Sequence, residues 1–151
     1  MTRKVTLLSA VIIFCGSLSY SQNRIITGKI VDKTFQPIWG ASIFLSDTTL
    51  LGKTDSLGNF SLNLPLSTDF LRFAAVGVEW KYVQLQANCN HVEVILLLHS
   101  SYDFMTLQEV DRLRKKEFKK LPKLHAKAFE QGILTKKKPC YDDIFISVAE
   151  R

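Results

Sequence analysis

Apolar and polar residues alternate with a period of two through much of the stretch from Arg24 to Leu98. Ile26, Gly28 and Ile30 alternate with Thr27, Lys29 and Val31, and Ala41, Ile43 and Leu45 with Ser42, Phe44 and Ser46. Phe60, Leu62 and Leu64 enclose Ser61 and Asn63, while Leu71 and Phe73 flank Arg72. Val83 and Leu85 flank Gln84, and Val92, Val94 and Leu96 flank Glu93 and Ile95. A two-residue period places alternate side chains on one face of a strand, so the pattern predicts about six or seven short strands, each burying one face. Between them, Lys33 to Gly40 contains Pro37 and Gly40, Asp55-Ser56-Leu57-Gly58 has an Asp start and a Gly finish, and Gly77 separates two apolar stretches. These are turn residues. Short strands so punctuated point to a β-sandwich or barrel, and no helical pattern separates them as a parallel α/β sheet requires.

After Tyr102 the period changes. Thr106-Leu107-Gln108-Glu109 reads as a capping box, in which hydroxyl and carboxylate satisfy backbone N–H groups at a helix start. Leu107, Val110, Leu113, Phe118 and Leu121 then form one helical stripe, which Pro122 ends or kinks. A second short helix is expected over Leu124 to Gln131, with Gly132 as its stop. The sequence thus divides into residues 1–21, a strand-rich segment 22–100 and a basic helical extension 101–151.

The first 21 residues are not expected to join the core. Arg3 and Lys4 precede the apolar run Val5 to Phe14, and Ser19-Tyr20-Ser21 offers small residues for a signal peptidase, so cleavage is expected after Ser21. A membrane anchor is the alternative, but the run is shorter than the roughly 20 residues that span a bilayer. A lipidated Cys15 is disfavoured by bulky Phe14 before it. Export places the protein in the periplasm or on the periplasmic face of the outer membrane. Once Cys15 is removed, Cys89 and Cys140 remain as an even pair in a compartment that can oxidise them. They are candidates for a disulfide closing a loop of about 50 residues, worth roughly 4 kcal/mol on a chain-entropy model, or else two free thiols.

With 151 residues, 46% of them hydrophobic and 23% charged, the chain suits one small domain with an appendage. The net charge of +6 is unevenly placed, because basic and acidic residues cancel between Gln22 and Leu98. The excess lies in the extension, where Arg112, Arg114, Lys115, Lys116, Lys119, Lys120 and Lys123 crowd together, with Lys136, Lys137 and Lys138 beyond. Either this is the solvated face of a helix packed on the sandwich, or Arg112, Lys115, Lys116, Lys119, Lys120 and Lys123 form a partner-binding face. An export signal makes nucleic acid an unsuitable partner and favours an envelope protein, with an anionic membrane surface or a glycan as alternatives.

Three phrases together resemble one family, the carboxypeptidase regulatory-like domain. They are Gly28 to Asp32, Pro37 to Ala41 and Gly52 to Phe60, in which Gly28, Asp32, Pro37, Gly40, Ala41, Thr54, Asp55, Gly58 and Phe60 fit the family pattern. Phe35 stands where the family often has Gly, Ile38 replaces its common Leu, and Ala75-Val76-Gly77-Val78 replaces a Ser-x-x-Gly-Tyr phrase. The resemblance implies a mainly β fold, a seven-stranded transthyretin-like (Ig-like) β-sandwich with a C-terminal helical extension, of a kind found in small exported Bacteroidetes proteins. It also implies a module that is not the catalytic part. The tail from Ala128 to Ile133 and Lys138 to Phe145 is similar to that of such proteins.

Candidate chemistry is sparse. His91, His99 and His125 occur in no zinc-binding spacing, and no nucleophile elbow or phosphate-binding Gly-rich loop is present. Cys140 with His125 as nucleophile and base is a weaker reading than a disulfide or structural thiol. Asp47, Asp55 and Asn59 lack the dense repeat of a calcium loop, and Asp55 is expected to cap its own turn. Trp39, Trp80 and Tyr82 are candidates for an aromatic glycan platform, against the alternative of core or edge packing. No catalytic residue, metal or cofactor is expected. The sequence points to a non-catalytic binding or scaffolding module, through protein docking or, alternatively, glycan or small-ligand binding.

Overall fold

The computed structural model describes residues 22–45 and 49–150; the expected signal peptide, Cys15 and Asp47 lie outside them. The chain forms β1 (Asn23–Asp32), β2 (Ser42–Phe44), β3 (Leu50–Lys53), β4 (Asn59–Pro65), β5 (Phe70–Ala74), β6 (Lys81–Leu85), β7 (His91–Leu96), α1 (Leu107–Phe118), α2 (Leu121–Glu130) and β8 (Tyr141–Ile144), then a short 3-10 turn, Val148–Glu150. Two sheets pack face to face, one ordered β4-β1-β7 and the other β3-β2-β5-β6-β8. The fold is mainly β, an Ig-like sandwich, as the alternation predicts.

The inward rows are those read from the sequence. Ile26 and Ile30 of β1, Phe60, Leu62 and Leu64 of β4, and Val92, Val94 and Leu96 of β7 meet Ile43, Leu71, Phe73, Val83 and Leu85 of the facing sheet. Gly28 is required by a close approach: a Cβ there would lie 1.9 Å from the Val92 carbonyl oxygen and 2.6 Å from the Phe60 ring. Gly58 closes the β3–β4 turn at φ +77°, a conformation open to glycine at little cost. Asp55 caps that turn as expected, its Oδ1 accepting the Leu57 and Asn59 N–H groups at 2.9 and 2.8 Å.

Seven strands were expected, and the described residues contain eight. The two outside the six alternating segments read from the sequence are short and without clean alternation. β3 reads Leu-Leu-Gly-Lys and β8 reads Tyr-Asp-Asp-Ile inside a charged tail. β8 pairs antiparallel with β6, from Tyr82 opposite Ile144 to Leu85 opposite Tyr141, so the extension beyond residue 100 supplies an edge strand as well as helices. Cys89 and Cys140 form a disulfide with Cα atoms 5.3 Å apart, fastening the tail immediately before β8.

The outer face of the three-stranded sheet is covered where β1 ends and β7 runs, while Asn59, Ser61 and Asn63 of β4 stay exposed. On its outer side Val31 and Ile95 pack with Leu121 and Ala128 of α2 and with Leu134, which explains why these strand positions break a simple apolar-in, polar-out alternation. The capping box of α1 forms, with the Thr106 N–H donating to Glu109 Oε2 at 2.9 Å and the Glu109 N–H to Thr106 Oγ1 at 3.3 Å. The second helix begins three residues earlier than expected, because Pro122 occupies its first turn, where a missing N–H carries no penalty. Gly132 follows it at φ +70°. The helical stripe also differs: Leu107 is exposed, while Arg114 is buried beside Val110.

Candidate functional site

The basic run of the extension is split by its surroundings. Arg112, Lys115, Lys116, Lys119, Lys120 and Lys123 are all exposed, along α1 and the corner into α2. Among the described residues only Lys120 of this group has an ion-pair partner, Glu117. Arg114 leaves the set. It is 7% exposed, with Nε 3.1 Å from Glu79 Oε2 and Nη1 2.9 Å from Asp111 Oδ1 and 3.2 Å from the Ile146 carbonyl. Its guanidinium also lies 5.2 Å from the Phe145 ring centroid. Arg114 therefore joins α1 to the segment before β6 and to the C-terminus, and it is structural.

The aromatic platform does not assemble from all three expected residues. Tyr82 is 6% exposed, correcting its assignment as a glycan contact; it lies on the outer side of the five-stranded sheet, 5.9 Å from the Phe70 ring. Its register row crosses every strand of that sheet as Leu50, Phe44, Arg72, Tyr82 and Ile144. Within this row the Arg72 guanidinium lies 4.3 Å from the Phe44 ring centroid and 4.8 Å from that of Trp80. A planar cation against aromatic faces is favourable, and here it fills the row. Trp80 keeps 45% exposure and Trp39, in the β1–β2 connection, 77%.

Buried polar groups that the sequence reading passed over close the edge of β7. The Glu93 carbonyl accepts the Tyr141 hydroxyl at 2.8 Å and faces His125 Nε2 at 3.3 Å, and the Ile95 carbonyl accepts Lys81 Nζ at 3.3 Å. Lys81 also pairs with Asp143 at 2.8 Å. Burial holds the Lys81 amine below its usual range, partly offset by Asp143, and pushes the Tyr141 phenol well above its own, reinforced by Asp143 and Glu93. Side chains of β6, α2 and β8 thus cover an edge that would otherwise offer carbonyls to another chain. The sequence signal was a charged residue inside an apolar strand: Glu93 between Val92 and Val94, and Lys81 at the head of β6. Cys140 is consumed by the disulfide, and His125 faces the Glu93 carbonyl, so no nucleophile and base pair forms there. His91 is the first residue of β7, and His99 lies three residues beyond its end at Leu96. Asp55 spends its carboxylate on its turn, and the described residues contain no group of three or more His, Cys, Asp or Glu placed to hold a metal ion.

Beside the basic face runs a groove of about 400 Å³ between α1, the head of β6 and the chain after β8. Trp80, Met105, Leu113, Phe118, Phe145 and Ile146 give it apolar walls, and Lys33 and Lys116 also line it.

A family model of the CarboxypepD_reg-like domain matches residues 26–110, from β1 into the first turn of α1. The chain belongs to that family. CarboxypepD_reg-like domains are non-catalytic β-sandwich modules, and the matched range takes in most of β1 and all of β2 to β7. α2, the disulfide partner Cys140 and β8 lie beyond it. No curated protein matches the chain. Phe35, which departs from the family pattern, has φ +69°, so the structure retains the left-handed backbone that glycine takes there; its ring packs on the α2 cluster, with Lys127 Nζ 5.9 Å from its centroid.

Proposed function

We propose that this protein is a non-catalytic docking module at the bacterial cell envelope, seating the basic face of α1 on an acidic surface of an envelope protein. The observation that carries the reading is the division within one charge run: Arg114 is consumed by Glu79 and Asp111, whereas Arg112, Lys115, Lys116, Lys119 and Lys123 stay exposed without ion-pair partners among the described residues. A cationic face on a helix fastened through Arg114 steers an acidic partner and fixes its orientation. The export pattern of the first 21 residues supports the envelope as the place of action.

The test is crosslinking of the tagged mature protein in its source cells, with mass spectrometry of the linked sites. A reproducible partner linked through Lys115 to Lys123, weakened by salt and lost in a Lys116→Glu/Lys119→Glu/Lys123→Glu variant, is the expected result. A partner held equally well by that variant would overturn the reading.

A further inference from the structure

We propose that the groove beside α1 binds one alkyl chain of an anionic amphiphile, with the headgroup held at its mouth by Lys33 and Lys116. The volume, about 400 Å³, lies in the range of small-ligand pockets, roughly 300 to 1,000 Å³. Three observations select this ligand. First, the larger part of the wall is apolar, with Trp80, Leu113, Phe118 and Phe145 among its side chains. Second, apart from Lys33 and Lys116, the charged groups lining the groove are already engaged: Glu79 with Arg114, Arg114 also with Asp111 and the Ile146 carbonyl, Lys81 with Asp143 and the Ile95 carbonyl, and Glu117 with Lys120. An alkyl chain brings no hydrogen-bonding groups for these engaged charges to satisfy. Third, Lys33 and Lys116 are exposed and without ion-pair partners among the described residues, which leaves two cations for an anionic head.

The mouth is itself apolar. Leu98 and Met105, both lining the groove, are 38% and 45% exposed, and next to Met105 Phe104 is fully exposed. An acyl chain entering from a lipid surface or from solution meets the same rim. The shared chemistry is an acyl chain with an anionic head, and the source is decided by experiment.

Trp39 and Trp80 are the two tryptophans of the chain, so Trp39→Phe leaves Trp80 as a fluorescent reporter inside the groove. This single-tryptophan protein is titrated with octanoate, decanoate and dodecanoate below their micelle concentrations. The expected result is a saturable Trp80 response whose affinity rises roughly fourfold per added methylene. Lys33→Ala/Lys116→Ala should weaken decanoate about threefold to tenfold while leaving decanol unchanged. Met105→Glu, at a half-exposed position that folding tolerates, should weaken both.

Decanoate binding without retention on phosphatidylglycerol vesicles assigns the site to free acyl anions. Vesicle retention that Met105→Glu abolishes assigns it to lipid. A response that fails to saturate, ignores chain length or survives Met105→Glu overturns the proposal. None of these probes is a protein, so failure here leaves the docking of the α1 face standing, and failure of docking leaves the groove standing.

Discussion

Glu93 on β7 holds the backbone of Thr135, 42 residues away in sequence: its two carboxylate oxygens accept the Thr135 N–H at 2.8 and 3.0 Å, and one also accepts the Lys136 N–H at 3.0 Å. The side chain is 3% exposed, and a buried carboxylate is retained only where donors converge on it. Those donors lie five and six residues beyond the end of α2, so Glu93 sets the course of the tail towards Cys140 and β8.

Replacing Glu93 with Gln keeps the shape but removes the charge and one acceptor oxygen. We expect a loss of about 2 kcal/mol in urea unfolding, with faster amide exchange at Thr135 and Lys136 and along β8. Unchanged exchange in β8 would show that the tail is held by other contacts.

The disulfide is expected to act on the same segment. Cys89→Ser/Cys140→Ser should cost about 2 to 4 kcal/mol. β8 should lose its protection before β1, β4 and β7 lose theirs, because their pairing does not involve the tail. Hydrogen exchange with and without reductant checks the order.

Arg114 and its exposed neighbours should separate cleanly. Arg114→Ala removes the cation from two partly buried carboxylates, Glu79 and Asp111, and is expected to cost about 3 kcal/mol in thermal unfolding. Lys116→Glu and Lys119→Glu should each stay within about 0.5 kcal/mol of the parent while weakening partner crosslinking.

Gly28→Ala places a methyl group against the Val92 carbonyl oxygen, where backbone rather than a mobile side chain must give way. A loss of about 3 kcal/mol is expected, measured by denaturant midpoint with an unchanged m-value.

Tyr141 predicts an alkaline limit. Its phenol is raised above the ordinary value of 10.0, so above that pH the unfolded chain releases a proton that the folded chain retains. Stability contributed below pH 10 is therefore lost as pH rises towards the folded value. Lys81, lowered from 10.5, acts in the opposite sense, adding stability as pH rises from its folded value to 10.5. Tyr141→Phe should remove the first effect and leave the second, so its stability should fall less between pH 9 and 11, read by urea titration.

The sandwich was legible from local pattern because a strand with one buried face must alternate, as Ile26, Gly28 and Ile30 do, and because its turns need particular residues at Asp55 and Gly58. The helix start at Thr106 was legible for the same reason: a capping box is a contact between residues three apart. β3 and β8 were not, since four residues carry too little periodicity, and β8 is a strand only because β6 offers it an edge. The expected basic face already left Arg114 out, but its role was not legible: only packing shows that it faces Glu79 across 35 residues while Lys116 and Lys119 stay exposed. Tyr82 moved from exposed candidate to buried row for the same reason. The sequence by itself determined the period, the turns, the caps and the total charge, which depend on neighbours along the chain. The tertiary structure decided which cations remain exposed, how the edge of β7 is closed and where an apolar groove opens, because burial depends on partners brought together from distant segments.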